Sequence, residues 1–161
     1  MALGDNTLAS ARGNTQRGRN PYMVQTTLNW ATALSDKGSA LAASDVIPVI
    51  AVPKGNMVLN AGIEVDTASD GSTFTVDLGM VDADVFVDGF DATSAAAVVA
   101  QNPAAYQPVM AVANDNIDLT IATLSGGAVS TGKLRIWAVM MDCSDMGQDM
   151  TANEVDRDYL A

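Results

Sequence analysis

Apolar and polar residues alternate along most of the chain between Pro21 and Asp142. Tyr22, Val24, Thr26, Leu28 and Trp30 share one parity, with Gln25, Thr27 and Asn29 on the other. Met57, Leu59, Ala61, Ile63 and Val65 repeat the pattern against Asn60, Gly62, Glu64 and Asp66. Phe74, Val76 and Leu78 oppose Thr73, Thr75 and Asp77. Ile117, Leu119 and Ile121 oppose Asp118 and Thr120, and Leu134, Ile136 and Ala138 oppose Lys133 and Arg135. A period of two places one side of an extended segment in a core and the other in water. So many such segments in one short chain predict packed antiparallel sheets.

The punctuation between them sets the expected elements. The first strand is read from Pro21 to Leu34, followed by a polar connection over 35–44. A second extended run covers 46–52, where Pro48 marks an edge position or a bulge because proline cannot donate to a ladder. Pro53-Lys54-Gly55-Asn56 is a turn into a strand over 57–67, and Asp70-Gly71 predicts a hairpin to a strand over 72–79. Gly126-Gly127 reads as a second hairpin turn, between strands over 117–123 and 133–142, and a short strand covers 108–113. Residues 80–108 read as a long loop in which Thr93 or Ser94 caps a short helix through Val99. The fold class is therefore all-β: an antiparallel β-sandwich of seven strands, jelly-roll-like, with an extended N-terminal arm and one short helix.

Three regions follow: an arm over 1–20, a sandwich domain over 21–143 and an acidic tail over 144–161. The arm, rich in Gly, Asn, Thr and Arg, shows no sustained period and is expected to order only against a partner. In the tail, Thr151 and Glu154 have the spacing of a capping box, so its last residues suit one short helix.

Composition adds three constraints. A chain of 161 residues with 48% hydrophobic content can build one real core. Seventeen of the nineteen acids are Asp, which favours turns over helix interiors. Charge is segregated: residues 1–20 carry three Arg against one Asp, whereas the other 141 residues carry five cations against eighteen acids. A body with a net charge of −13 repels phosphate backbones, so nucleic acid is not an expected partner. The longest apolar run, over 46–52, is far short of a membrane span, and no secretory signal is visible.

Little reactive chemistry remains. The chain contains no histidine, which removes His-assisted nucleophiles and His-based zinc sites. Cys143 is the single cysteine, so neither an internal disulfide nor a cysteine metal cluster can form. Asp66 and Asp77 fall on outward parities, and aromatic content of 5% is poor material for a sugar cleft. No catalytic residue and no cofactor are expected. Asp82, Asp84, Asp88 and Asp91 offer the oxygen ligands calcium prefers but lack the EF-hand spacing, so they are weak metal candidates beside a plain solvated loop. Trp137 shares its outward parity with Lys133 and Arg135, and Val139 and Met141 continue that side. Either another element of the chain or a second subunit covers this stripe.

The run VIPVIAVPKGNMVLNAGIEVDTASDGSTFTVDLG, followed by FVDGFDA, NDNIDLTIA and TGKLRIWAVMMD, resembles small virion proteins of tailed bacteriophages, the structural, head-decoration or cement proteins. The resemblance spans roughly residues 22–143 and lies in strand and turn patterns rather than a catalytic signature. It implies a non-enzymatic protein on the capsid exterior, synthesised in the host cytoplasm. Such a protein binds major capsid protein and locks neighbouring subunits together, often as a homotrimer. The capsid-contact candidates are then Leu3, Leu8, Arg12, Arg17 and Arg19 of the arm, and the subunit-interface candidates are Trp137, Val139 and Met141. The alternative is another virion component: a head-fibre base, a tail or neck part, or a host-surface adhesin.

Overall fold

The computed structural model describes residues 20–94 and 108–143. Eight strands and one helix lie among them: β1 (Tyr22–Asn29), α1 (Trp30–Lys37), β2 (Val46–Val52), β3 (Asn56–Thr67), β4 (Thr73–Gly79), β5 (Val87–Asp91), β6 (Val109–Met110), β7 (Asp115–Ser125) and β8 (Lys133–Asp142). One sheet has the order β1-β8-β3-β6 and the other β2-β7-β4-β5, with every pairing antiparallel. This is an eight-stranded, two-sheet jelly roll, in which consecutive strands usually belong to opposite sheets. Only β4 and β5 are neighbours both in sequence and in a ladder.

That topology corrects two expected hairpins. The turn at Asp70-Gly71 carries the chain from β3 in one sheet to β4 in the other, and Gly126-Gly127 does the same from β7 to β8. Turn residues specify a reversal of direction; they do not specify that the flanking strands share hydrogen bonds. Asp70 instead ties the two crossings together. Its carboxylate accepts bonds from the Ser130 amide (2.9 Å), the Ser130 hydroxyl (2.6 Å) and the Thr131 amide (3.1 Å).

Three further corrections have local causes. The first strand stops at Asn29 rather than Leu34, because the Asn29 side chain caps a helix by accepting the Ala31 amide. Gly38, in the left-handed region at φ 69°, ends that helix by donating to the Leu34 and Ser35 carbonyls. The alternation of β3 breaks at a bulge between Val58 and Asn60. Val58, Ala61, Ile63 and Val65 therefore enter the core, whereas Met57 pairs outward with Met141. Finally, part of the expected 80–108 loop is strand β5, whose Val87 and Phe90 are buried. There are thus eight strands rather than seven. The edge or bulge inferred for Pro48 is borne out on both counts: β2 is an edge strand and its register shifts between Pro48 and Ile50. Residues 1–19 of the arm, residues 95–99 of the helix expected behind Thr93-Ser94, and the tail over 144–161 lie outside the described residues.

The core sits between the sheets. Phe74, Val76 and Leu78 of β4 and Ile117, Leu119 and Ile121 of β7 face Ile63 of β3 and Leu134 and Ile136 of β8, all essentially without solvent exposure. Trp30 plugs one end of this layer. It is fully buried and meets the Phe74 ring edge-on, with centroids 4.7 Å apart and planes at 69°.

Candidate functional site

With the cores turned inward, function rests on two outer faces, the loops and the edges. Residues directly opposite each other on neighbouring strands point to the same side. On the β1-β8-β3-β6 sheet this builds rows across the outer face: Met23, Val139 and Asn60; Gln25, Trp137 and Gly62; Met141, Met57 and Met110. Trp137, Val139 and Met141 are half-buried, while Met23 is 63% exposed and Met110 39% exposed. The sequence-predicted stripe is therefore brought together on one strand, and the methionines of three neighbouring strands widen it into a patch. A contiguous apolar patch on an outer face is a contact-surface signal.

The charges beside that patch cancel. Arg135 binds Glu64 at 2.9 Å and lies 3.8 Å from Asp66, on the row next to Trp137, and Lys133 is the remaining cation of β8. The opposite face is unlike it. Rows on the β2-β7-β4-β5 sheet run Val46, Thr120 and Asp77; Pro48, Asp118 and Gly79; Thr123, Thr75 and Asp91. It holds acids and threonines, and none of the described lysines or arginines falls on it. Partial burial, helped by the charge of Asp115, raises the Asp118 carboxyl above its ordinary range.

The Asp-rich segment connects β4 to β5 of the same sheet. An added Cβ at Gly79 would lie 1.8 Å from the Asp82 carbonyl oxygen, so only glycine lets the chain fold back there. Asp84 is raised chiefly by the charge of Asp82, then by burial, with Asp88 adding to it. Asp91 does not join them: it accepts bonds from the Thr93 amide and hydroxyl, which hold it below the usual carboxylate range. Among the described residues no group of three or more His, Cys, Asp or Glu side chains is placed to hold a metal ion. The weak calcium reading of Asp82, Asp84, Asp88 and Asp91 thus gains no support from geometry.

A groove of about 490 Å³ runs along one side of the sandwich, between α1 and the edge strands β1 and β2. Leu28, Ala33, Leu41 and Ile47 line it, with Asp36, Asp45 and Lys37 at its rim. Lys37 forms an ion pair with Asp45, and the Ala42 amide also donates to that carboxylate. Alternation does not reveal this groove, because it assigns the first residues of α1, 30–34, to strand and the rest to a connection. The arm candidates Leu3, Leu8, Arg12, Arg17 and Arg19 lie outside the described residues.

No family model matches the sequence, and no curated protein matches it. Solved structures do match. A chain in the capsid of Ralstonia phage GP4 superposes with a TM-score of 0.56 at 14% identity, covering 76% of this chain and 84% of that one. A chain in the capsid asymmetric unit of cyanophage Pam1 gives 0.54, again at 14% identity with 76% and 84% covered. The fold is one that phage capsids contain. A chain in the capsid of Helicobacter pylori bacteriophage KHP30 overlaps less closely, with a TM-score of 0.46 at 15% identity, covering 75% of this chain and 86% of that one. Among the described residues no helix is long and apolar enough to cross a membrane.

Proposed function

We propose that the protein is a non-enzymatic structural component of a phage virion, which binds the outer surface of the capsid and cements neighbouring major capsid subunits. The observation that carries this reading is the contrast between the two outer faces of a fold shared with chains in phage capsids. The Trp137 face is apolar and charge-balanced, so it can be buried against protein at little electrostatic cost. The Asp77, Asp91 and Asp118 face would carry uncompensated charge into any interface and therefore stays in water. Three copies meeting through Trp137, Val139 and Met141 form a homotrimer, the closed symmetry that a threefold position of a shell accepts. The arm supplies the reach: Arg17 and Arg19 sit just before β1, where their forked guanidinium groups suit carboxylates of the shell.

The test is decoration of undecorated particles by purified protein, with and without residues 1–20. The full chain is expected to load in hundreds of copies per particle, and the shortened chain to stay folded yet fail to load. Normal occupancy by the shortened chain removes the arm from the mechanism. A handful of copies per particle transfers the protein to a tail, neck or adhesin role.

A further inference from the structure

We propose that the groove between α1 and the edge strands β1 and β2 is a socket for the N-terminal arm of a second copy of this chain. Leu8 of that arm rests on the groove floor and Arg12 meets Asp36 at the rim. The inference goes beyond shell binding, and uses that reading only for the closeness of neighbouring copies.

β1 and β2, which line the groove opposite α1, are edge strands, and among the described residues neither has a ladder partner on its outer side, so each offers a backbone edge to an extended segment. The floor is apolar, made by Leu28, Ala33, Leu41 and Ile47. At the rim Lys37 neutralises Asp45, which among the described residues leaves Asp36 as the uncompensated charge and favours a cationic visitor. The arm has the matching chemistry, with three arginines and two leucines in its twenty residues.

Parity fixes which of them fit. In an extended chain Leu8 and Arg12 point to one side, while Leu3, Arg17 and Arg19 point to the other. One side can therefore fill the groove while the opposite side faces the shell. From Leu8 to Arg12 an extended chain covers about 13 Å, and the strand walls at 27–29 and 46–48 run for about 7 Å, so a segment with Leu8 on the floor extends past them to the rim.

The visitor comes from a second copy because of how the arm joins the body. The residue before a proline is held extended, so Asn20-Pro21 feeds β1 in line rather than doubling back. The groove lies at the far end of β1 from Tyr22. Seating a chain's own Arg12 there would need a sharp reversal just ahead of Pro21. An arm of twenty residues reaches up to about 65 Å when extended, enough to cross to a neighbour.

The test uses full-length chains in which Cys143 is replaced by Ser. One tagged copy carries Leu8→Cys and a second, differently tagged copy carries Thr32→Cys on the groove side of α1; a disulfide needs Cα atoms within about 7 Å. The mixture is oxidised both in solution and on decorated particles. A disulfide joining the two tags in either setting is expected, and Asp36→Lys on the groove-bearing copy should reduce it several-fold. The control site is Val112→Cys, at a position 80% exposed and outside the groove. The proposal is overturned if mixed-tag product never exceeds that control in either setting. It is equally overturned if a chain carrying both cysteines closes only on itself. Particles that stay bare while the mixed disulfide forms in solution would count against shell binding and leave the socket standing.

Discussion

Replacing Trp30 probes the joint on which the sandwich closes. Its indole belongs to the first residue of α1, directly after β1 of one sheet, yet it packs edge-on against Phe74 of the other. Both side chains have 0% exposure. Trp30→Ala deletes the ring and leaves a cavity that a closed two-layer core cannot collapse, a change that costs about 3–5 kcal/mol. Domains of this size have about 5–15 kcal/mol in total, so the loss is a large fraction of stability. Trp30→Phe behaves differently. The indole Nε1 is buried with no hydrogen-bond partner among the described residues, so removing that N–H recovers part of what the smaller ring forfeits. The aromatic edge contact is retained, and the net cost is expected below about 1.5 kcal/mol. Urea unfolding followed by far-UV circular dichroism reads both changes, and Trp137 remains as an independent fluorescent probe. If Trp30→Ala costs under about 1 kcal/mol, or Trp30→Phe costs as much as Trp30→Ala, the ring is not the plug described here.

Other outcomes follow from the same geometry. Gly79→Ala forces the Asp82 carbonyl away and should lower the thermal midpoint sharply, whereas Gly89→Ala, where nothing lies within 4 Å of the added Cβ, costs only the strain of its positive φ; scanning calorimetry compares them. Hydrogen bonds from Ser130, led by its hydroxyl, hold Asp70 far below the usual carboxylate range, so the unfolded state binds its proton first. Its stabilising contribution is complete above about pH 4 and disappears at lower pH, and Asp70→Asn should flatten that acid limb in a melting series. Asp84 and Asp118 are raised and act in the opposite sense. As the pH falls toward about 4 their protonation favours the folded state, so Asp118→Asn should reduce any gain in melting temperature between neutral pH and about pH 4. Val139→Asp places a charge in the outer Met23–Val139–Asn60 row and should leave the circular dichroism spectrum intact while shifting sedimentation toward monomer.

How much of this was legible beforehand depended on whether one strand's side chains carried the information. The inward sets Phe74, Val76, Leu78; Ile117, Leu119, Ile121; and Leu134, Ile136, Ala138 are all buried as alternation requires. Sheet membership was not legible, because Asp70-Gly71 reads identically whether the chain reverses within a sheet or between sheets. The bulge after Val58 inverted the parity of Met57, since a single inserted residue leaves no compositional trace. Trp30 fell on the strand parity by coincidence and disguised α1, although Asn29 and Gly38 were available as cap signals. Of the candidate site, Trp137, Val139 and Met141 stood out by their odd parity. Met23, Met57 and Met110 did not, because only strand order places them alongside.

Electron microscopy of the intact particle addresses the central claim most directly. Many copies of this jelly roll are expected on the outer shell, with the Trp137 face against protein and the Asp77–Asp118 face toward solvent. A shell without such density, or copies seated through the acidic face, would contradict it.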